Sequence, residues 1–198
     1  MIIVGLTGSI GMGKTTIARM FHALGIAIWN ADEVVHRLYS GGPLVTQIAA
    51  AFDGVVTKAG AVNRKKLSQV VLKNKEKLSQ LQSLVHPLVA ADRQQFIANA
   101  REKRAPYVIL DIPLLFETNS QKAMDKIIVV SCNSEIQRQR VLARQDMTEE
   151  KFKQILANQL PSETKAKHAD FVIDTSGSLA DSEKQVRLLH KKLLGLKS

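Results

Sequence analysis

The densest set of residues with chemical potential is Gly8-Ser9-Ile10-Gly11-Met12-Gly13-Lys14-Thr15, which satisfies the pattern GxxxxGK[ST]. Glycines at these spacings let a backbone fold tightly around phosphates with its N–H groups turned inward, and a following helix adds its positive N-terminal end. Lys14 is spaced to reach the β and γ phosphates of a nucleoside triphosphate, and the Thr15 hydroxyl to ligate the Mg²⁺ that bridges them. Such a loop does not name an acceptor, so other groups must be sought. Asp32 directly follows a second apolar run; there it can accept a proton from an attacking hydroxyl, or merely cap a helix beginning at Glu33. Asp111 ends the run YVILD, where a carboxylate can organise Mg²⁺ through water or orient groups of the neighbouring IPLLFE loop, which holds Leu114 and Leu115. Arg138, Arg140 and Arg144 follow the spacing i, i+2, i+6, so Arg140 and Arg144 are the neighbours on one helix face. One of them can clamp a transferring phosphoryl group, although an exposed basic helix would look the same. The lone His86 has no clustered ligands, His22, His36, His168 and His190 show no metal spacing, and the single Cys132 reads as a small buried filler.

These groups need a scaffold, and the periodicity supplies one. Ile2–Leu6 is a short β-branched run that suits a strand buried on both faces. From Lys14 to Leu24 the apolar positions Ile17, Ala18, Met20, Phe21 and Leu24 recur at helical spacing, with Gly25 as the stop. The run Ile26–Trp29 then completes a strand, glycine loop, helix, strand unit. Residues 32–103 hold several helical patterns and no convincing strand, which predicts a helical insertion. Within it Asn63 is a candidate N-cap for RKKLSQVVL, and Pro87 is expected at the first turn of a long helix reaching Ala100. Three more strands are read at Tyr107–Asp111, Lys126–Ser131 and Asp170–Asp174. A closing helix over Leu179–Leu194 should pack Val186, Leu189 and Leu193 on the sheet and end at Gly195. The sum is an α/β fold with a doubly wound, five-stranded parallel sheet.

Composition bounds the rest. A chain of 198 residues that is 45% hydrophobic can bury a sizeable core as one domain. No run approaches the roughly 18 apolar residues of a membrane span, and MIIVGLTG lacks the features of a secretory leader, so a soluble cytoplasmic protein is expected. The formal net charge of +10 is spread over Arg64, Lys65 and Lys66, over Lys73, Lys75 and Lys77, and over Lys191 and Lys192 as well as the arginine helix. With only 5% aromatic residues there is little for base stacking, so a phosphate-rich metabolite accounts for this charge better than nucleic acid does. A nucleic-acid-stimulated ATPase and another small-molecule or nucleoside monophosphate kinase are the rival readings; a GTPase lacks its NKxD-like guanine signature.

GLTGSIGMGKTT, the NAD motif with Asp32, LVHPLV, VILDIPLLFE and ADFVIDTSG, in this order, resemble the dephospho-coenzyme A kinase family over nearly the whole chain. The resemblance implies a P-loop kinase fold and ATP-dependent phosphorylation of the ribose 3′-hydroxyl of dephospho-CoA, with Mg²⁺ as the metal. It implies a nucleotide-binding core from 1–31, 104–137 and 168–198, an acceptor-binding insertion at 32–103, and a lid at 138–167. Carried onto this chain, it makes Asp32 the general base, with Lys14 and Arg140 also catalytic. The ATP site would comprise Gly8, Ser9, Ile10, Gly11, Met12, Gly13, Lys14, Thr15 and Thr16, with Thr175 and Gly177 near the adenine. Arg64, His86, Leu114 and Leu115 would bind the acceptor alongside Asp32, and Thr15 and Asp111 would serve the metal. The expected partners are ATP and dephospho-CoA, with no nucleic acid or membrane, for a monomer or weak homo-oligomer. Two positions depart from the family's habit. Asn30 stands where many relatives have Asp, which removes a carboxylate near the proposed base. Thr175 stands where an asparagine is usual, so any adenine contact there would come from the backbone.

Overall fold

The computed structural model describes residues 1–72 and 74–196, so Lys73 of the basic series lies outside the described residues. The chain forms two compact units, Met1–Trp29 with Ala100–Ser198, and Asn30–Asn99.

The first unit is built on a five-stranded sheet in the order β2-β3-β1-β4-β5. The strands are β1 (Ile2–Thr7), β2 (Ile28–Asn30), β3 (Tyr107–Asp111), β4 (Lys126–Ser131) and β5 (Phe171–Asp174). β1 pairs in parallel with β3 on one side and β4 on the other, and β4 pairs in parallel with β5. Because β2 and β3 lie on one side of β1 while β4 and β5 lie on the other, the winding reverses at the central strand, and the loop at its carboxyl end occupies a topological switch point. Every residue of β3 is buried, as expected of a strand covered on both faces. The core joins Val4, Leu6, Ile109, Ile128 and Ile173 of the sheet to Ile17 and Phe21 of α1 (Lys14–Ala23) and to Val186, Leu189 and Leu193 of α9 (Leu179–Leu194). The last helix opens on a capping box between Ser178 and Asp181 and is capped at its end by Gly195.

The second strand begins later than the sequence suggests. Gly25 takes φ 82°, its N–H donates to His22 O at 2.9 Å, and the Ile26 N–H donates to Phe21 O at 3.2 Å. This pair of bonds closes the helix in a Schellman motif, so Ile26 belongs to the helix cap and β2 starts only at Ile28. Between β4 and β5 run α6 (Ser134–Leu142), α7 (Glu149–Ala157) and α8 (Ser162–Lys167).

The second unit carries α2 (Ala31–Tyr39), α3 (Pro43–Ala51), α4 (Arg64–Val71) and most of α5 (Lys75–Glu102), around a separate core that includes Leu44, Ile48, Phe52, Leu67, Leu81 and Val85. Its only sheet-like feature among the described residues is an isolated antiparallel bridge between Val56 and Val62. Asn63 caps α4, accepting from Lys66 N at 3.0 Å.

Pro87 does not open a helix. It lies inside α5, which starts twelve residues earlier behind Asn74, whose Oδ1 accepts from Lys77 N at 3.0 Å. An interior proline costs roughly 3 kcal/mol, but Leu78, Leu81, Val85 and Val89 continue one apolar stripe through it. Burial of the two most enclosed of these side chains, at about 1.5–3 kcal/mol each, is enough to offset the proline. Among the described residues, no helix is long and apolar enough to cross a membrane.

Candidate active site

The phosphate loop runs from the end of β1 into α1, and sterics explain its glycines. A Cβ on Gly8 would stand 2.8 Å from Val130 O of β4. At Gly11 the backbone has φ +80°, and a Cβ would meet Val141 Cγ2 of α6 at 2.5 Å. The α1 ladder begins with Thr16 N and Ile17 N, both bonded to Gly13 O at 3.0 and 3.2 Å, so the amides of Lys14 and Thr15 stand ahead of it at the positive end of the helix.

Register aligns the acidic partner. Leu6 of β1 is paired with Asp111 at the end of β3, and the Asp111 carboxylate, 1% exposed, forms an ion pair with Lys14 Nζ. The structure therefore brings together two residues that lie 97 positions apart in sequence.

Side chains from α6 to α8 hold the loop from behind. Gln137 Nε2 donates to Ile10 O at 2.7 Å, and Ile10 N donates to Gln159 Oε1 at 3.1 Å. Ser162 Oγ lies 3.2 Å from the buried Ser9 Oγ. Next to this contact a lysine with a fully buried side chain, Lys165, pairs with Glu117 at 2.9 Å, and Glu117 Oε1 also accepts from Leu160 N at 2.8 Å. Burial alone pushes the Glu117 carboxyl up, but Lys165 and the Leu160 N–H more than reverse this and hold it below the usual carboxylate range.

Thr175 links the loop to the arginine helix. Its hydroxyl donates to Met12 O at 2.8 Å and accepts from Arg140 Nη1 at 2.9 Å, while Arg140 Nη2 donates to Thr175 O at 2.8 Å. Gly13, Thr16, Arg140, Arg144, Thr175 and Gly177 share the wall of a cavity of about 250 Å³. A larger cavity of about 330 Å³ lies between α1 and α9, but Thr16 is its only wall residue from the Gly8–Thr16 segment. Arg138 is elsewhere engaged, in an ion pair with Glu149 at 2.8 Å. Cys132 is half-buried with its Sγ 3.4 Å from Met12 Sδ, and burial raises its thiol pKa, which suits packing rather than nucleophilicity.

The expected pair Leu114 and Leu115 divides. Leu115 is fully buried beside Gly5, whereas Leu114 remains 40% exposed. The remaining candidates belong to the second unit. Asp32 is exposed in the first turn of α2, Arg64 is exposed at the first position of α4, and His86 is exposed on α5. Asp32 is not the helix cap: Asn30 is, its Oδ1 accepting from Glu33 N at 3.1 Å, because the helix starts at Ala31. The capping alternative for Asp32 is thereby removed.

Sequence reasoning missed Gln137, Gln159, Ser162, Glu117 and Lys165 as parts of this site. Only Gln137 carried a signal, since it shares the buried face of α6 with Val141, and a polar residue on a core face must find a partner. The segment SETKAK has no apolar pattern that would mark Lys165 as buried.

A family model described as dephospho-CoA kinase matches residues 2–181. The dephospho-CoA kinase of Rhizobium meliloti (strain 1021) is 50% identical over 189 residues, covering 96% of this chain and 96% of that protein. Among solved structures, TT1252 from Thermus thermophilus superimposes with a TM-score of 0.84 at 30% identity, covering 97% of each chain. The dephospho-CoA kinase from Campylobacter jejuni gives 0.73 at 25% identity, covering 96% of each.

Proposed function

Because this chain belongs to the dephospho-CoA kinase family, we propose that it transfers the γ-phosphoryl group of ATP to the ribose 3′-hydroxyl of dephospho-CoA, giving coenzyme A and ADP. The observation that carries this reading is that the family match spans the phosphate loop, Asp32 and the ADFVIDTSG segment in one continuous stretch, residues 2–181.

The nucleotide's phosphates sit on the Gly8–Thr16 segment, and its base lies in the smaller cavity beside Thr175 and Gly177, the one walled by the loop's own glycines. The Thr175 hydroxyl is already committed to Met12 O and Arg140, so recognition of the base there falls to backbone groups. Asp32 accepts the proton from the acceptor hydroxyl; exposed and freed of a capping duty, its carboxylate is available for that task. Lys14 and Arg140 offset charge on the transferring group. The exposed Arg64 and His86, with Leu114, contact the acceptor.

Thr15 and Asp111 offer one hydroxyl and one carboxylate, few and hard oxygen donors that fit Mg²⁺, an ion that keeps several waters and leans on substrate phosphates. Asp111 would hold it through water, and when bound it would supply electrostatic stabilisation across the β and γ phosphates. The 138–167 segment acts as a lid that limits access of water. A cytoplasmic setting and a monomeric or weakly associated state belong to the same proposal.

The test is direct. Purified protein incubated with ATP, Mg²⁺ and dephospho-CoA should yield a product heavier by one phosphate at the 3′ position, with one ADP formed for each, and no ADP without acceptor. Folded protein that binds ADP but makes no such product would overturn the proposal.

A further inference from the structure

The hydrogen bonds behind the phosphate loop converge on a single residue, Ile10. Met12 N donates to Ser9 O at 3.2 Å, so Ser9-Ile10-Gly11-Met12 is a hydrogen-bonded β-turn. Gly11 occupies its third position with φ +80°, the value of a type II turn. Type I and type II turns differ by a flip of the central peptide, here Ile10–Gly11. In a trans peptide the carbonyl and the following N–H point in opposite directions. Whatever fixes the Ile10 carbonyl therefore also aims the Gly11 N–H.

Gln137 fixes it. Its amide donates to Ile10 O at 2.7 Å from the buried face of α6, where the side chain is only 6% exposed. Gln159 braces the same residue from the other side by accepting the Ile10 N–H at 3.1 Å. The helix backing the turn is in close contact with it, since a Cβ on Gly11 would stand 3.0 Å from Gln137 O. A flipped peptide would break the Gln137 bond and turn a carbonyl oxygen toward bound phosphate, replacing an attraction by a repulsion.

We propose that Gln137 is a positioning residue for the phosphoryl donor: it locks the Ile10–Gly11 peptide so that the Gly11 N–H, and not the Ile10 carbonyl, faces the nucleotide's phosphates, while Gln159 steadies the preceding Ser9–Ile10 peptide through the Ile10 N–H. The proposal rests on the reading of Gly8–Thr15 as the donor's phosphate site. It assigns binding work to two glutamines outside the GxxxxGK[ST] pattern.

The experiment compares wild type, Gln137→Leu and Gln159→Leu. For each, Mg²⁺-dependent ADP binding and AMP binding are measured by calorimetry, and KM for both substrates by steady-state kinetics. Loss of the Gln137 bond should weaken ADP binding and raise KM for ATP about tenfold, the size expected for one buried hydrogen bond. AMP affinity and KM for dephospho-CoA should stay within about twofold, which a general loosening of the fold would not allow. If Gln137→Leu does not fold, Gln159→Leu carries the test, with an expected ADP loss of about threefold. ADP affinity unchanged in every folded variant, or ADP, AMP and acceptor weakened alike, would overturn the proposal. A wild type that fails to bind ADP would instead sink the donor-site reading beneath it.

Discussion

In the unit formed by Met1–Trp29 and Ala100–Ser198, the candidate residues are held by bonds from distant parts of the chain: Lys14 by Asp111, Ile10 by Gln137 and Gln159, Met12 and Arg140 by Thr175. In the unit Asn30–Asn99, the candidates Asp32, Arg64 and His86 are exposed, and local caps place the first two, Asn30 ahead of Asp32 and Asn63 ahead of Arg64. A loop that is to hold phosphates by backbone N–H groups cannot choose their direction by itself, so it calls for buried braces. A carboxylate base needs only a helix start and access to its proton. Changes in the first unit should therefore disturb both stability and donor binding, and changes at the second unit's candidates should disturb turnover or acceptor binding while leaving stability intact.

The largest expected effect tests the second half of this contrast. Asp32→Asn should lower kcat about a thousandfold, within the range for removal of a general base, while ADP affinity and melting temperature stay at wild-type values. A turnover near wild type would remove Asp32 from the mechanism, and a large drop in melting temperature would break the contrast itself. Lys165→Met probes the first unit. It leaves the Glu117 carboxylate without its buried partner and should cost about 3–5 kcal/mol in denaturant unfolding. Since the folded-state pKa of Glu117 lies below its ordinary value, the stability it adds is present at neutral pH and is lost as pH falls through the folded value. The gap between wild type and Lys165→Met should accordingly narrow in acid; a gap independent of pH would mean the pair does not contribute as an ion pair.

Thr175→Val keeps the shape but deletes the hydroxyl between Arg140 and Met12 O. KM for ATP should rise about five- to tenfold, as for one lost buried hydrogen bond, with KM for dephospho-CoA unmoved. The smallest effect is expected at Asn30. Asn30→Asp preserves the cap on Glu33 N, so turnover should stay within about threefold, whereas Asn30→Ala should destabilise by roughly 1 kcal/mol. A much larger gain for Asn30→Asp would show that a carboxylate at this position tunes the base after all.

The sequence was most legible where structure follows local rules. The phosphate loop, α1, α9, the Asn63 cap and all five strands lay at or within a residue or two of their expected places. Each depends on periodicity or on a bond between near neighbours. It misled where two local signals conflicted. Proline argued for a helix start at Pro87 and the apolar stripe argued for continuity, and only the packing of Leu81 and Val85 settled it. In the same way Leu114 and Leu115 read alike as a loop pair, until close packing against the strand β1 took one of them into the core.

The amino-acid order by itself determined that a strand would run into a phosphate loop and a helix, because glycine spacing, β-branched runs and the 3.6-residue period act over a few positions. Only the tertiary structure decided what stands behind that loop. Gln137, Gln159 and Thr175 reach it from 127, 149 and 163 positions away. Periodicity tells a side chain which face to bury but not what it will meet there, so those partners are defined only by the strand order β2-β3-β1-β4-β5.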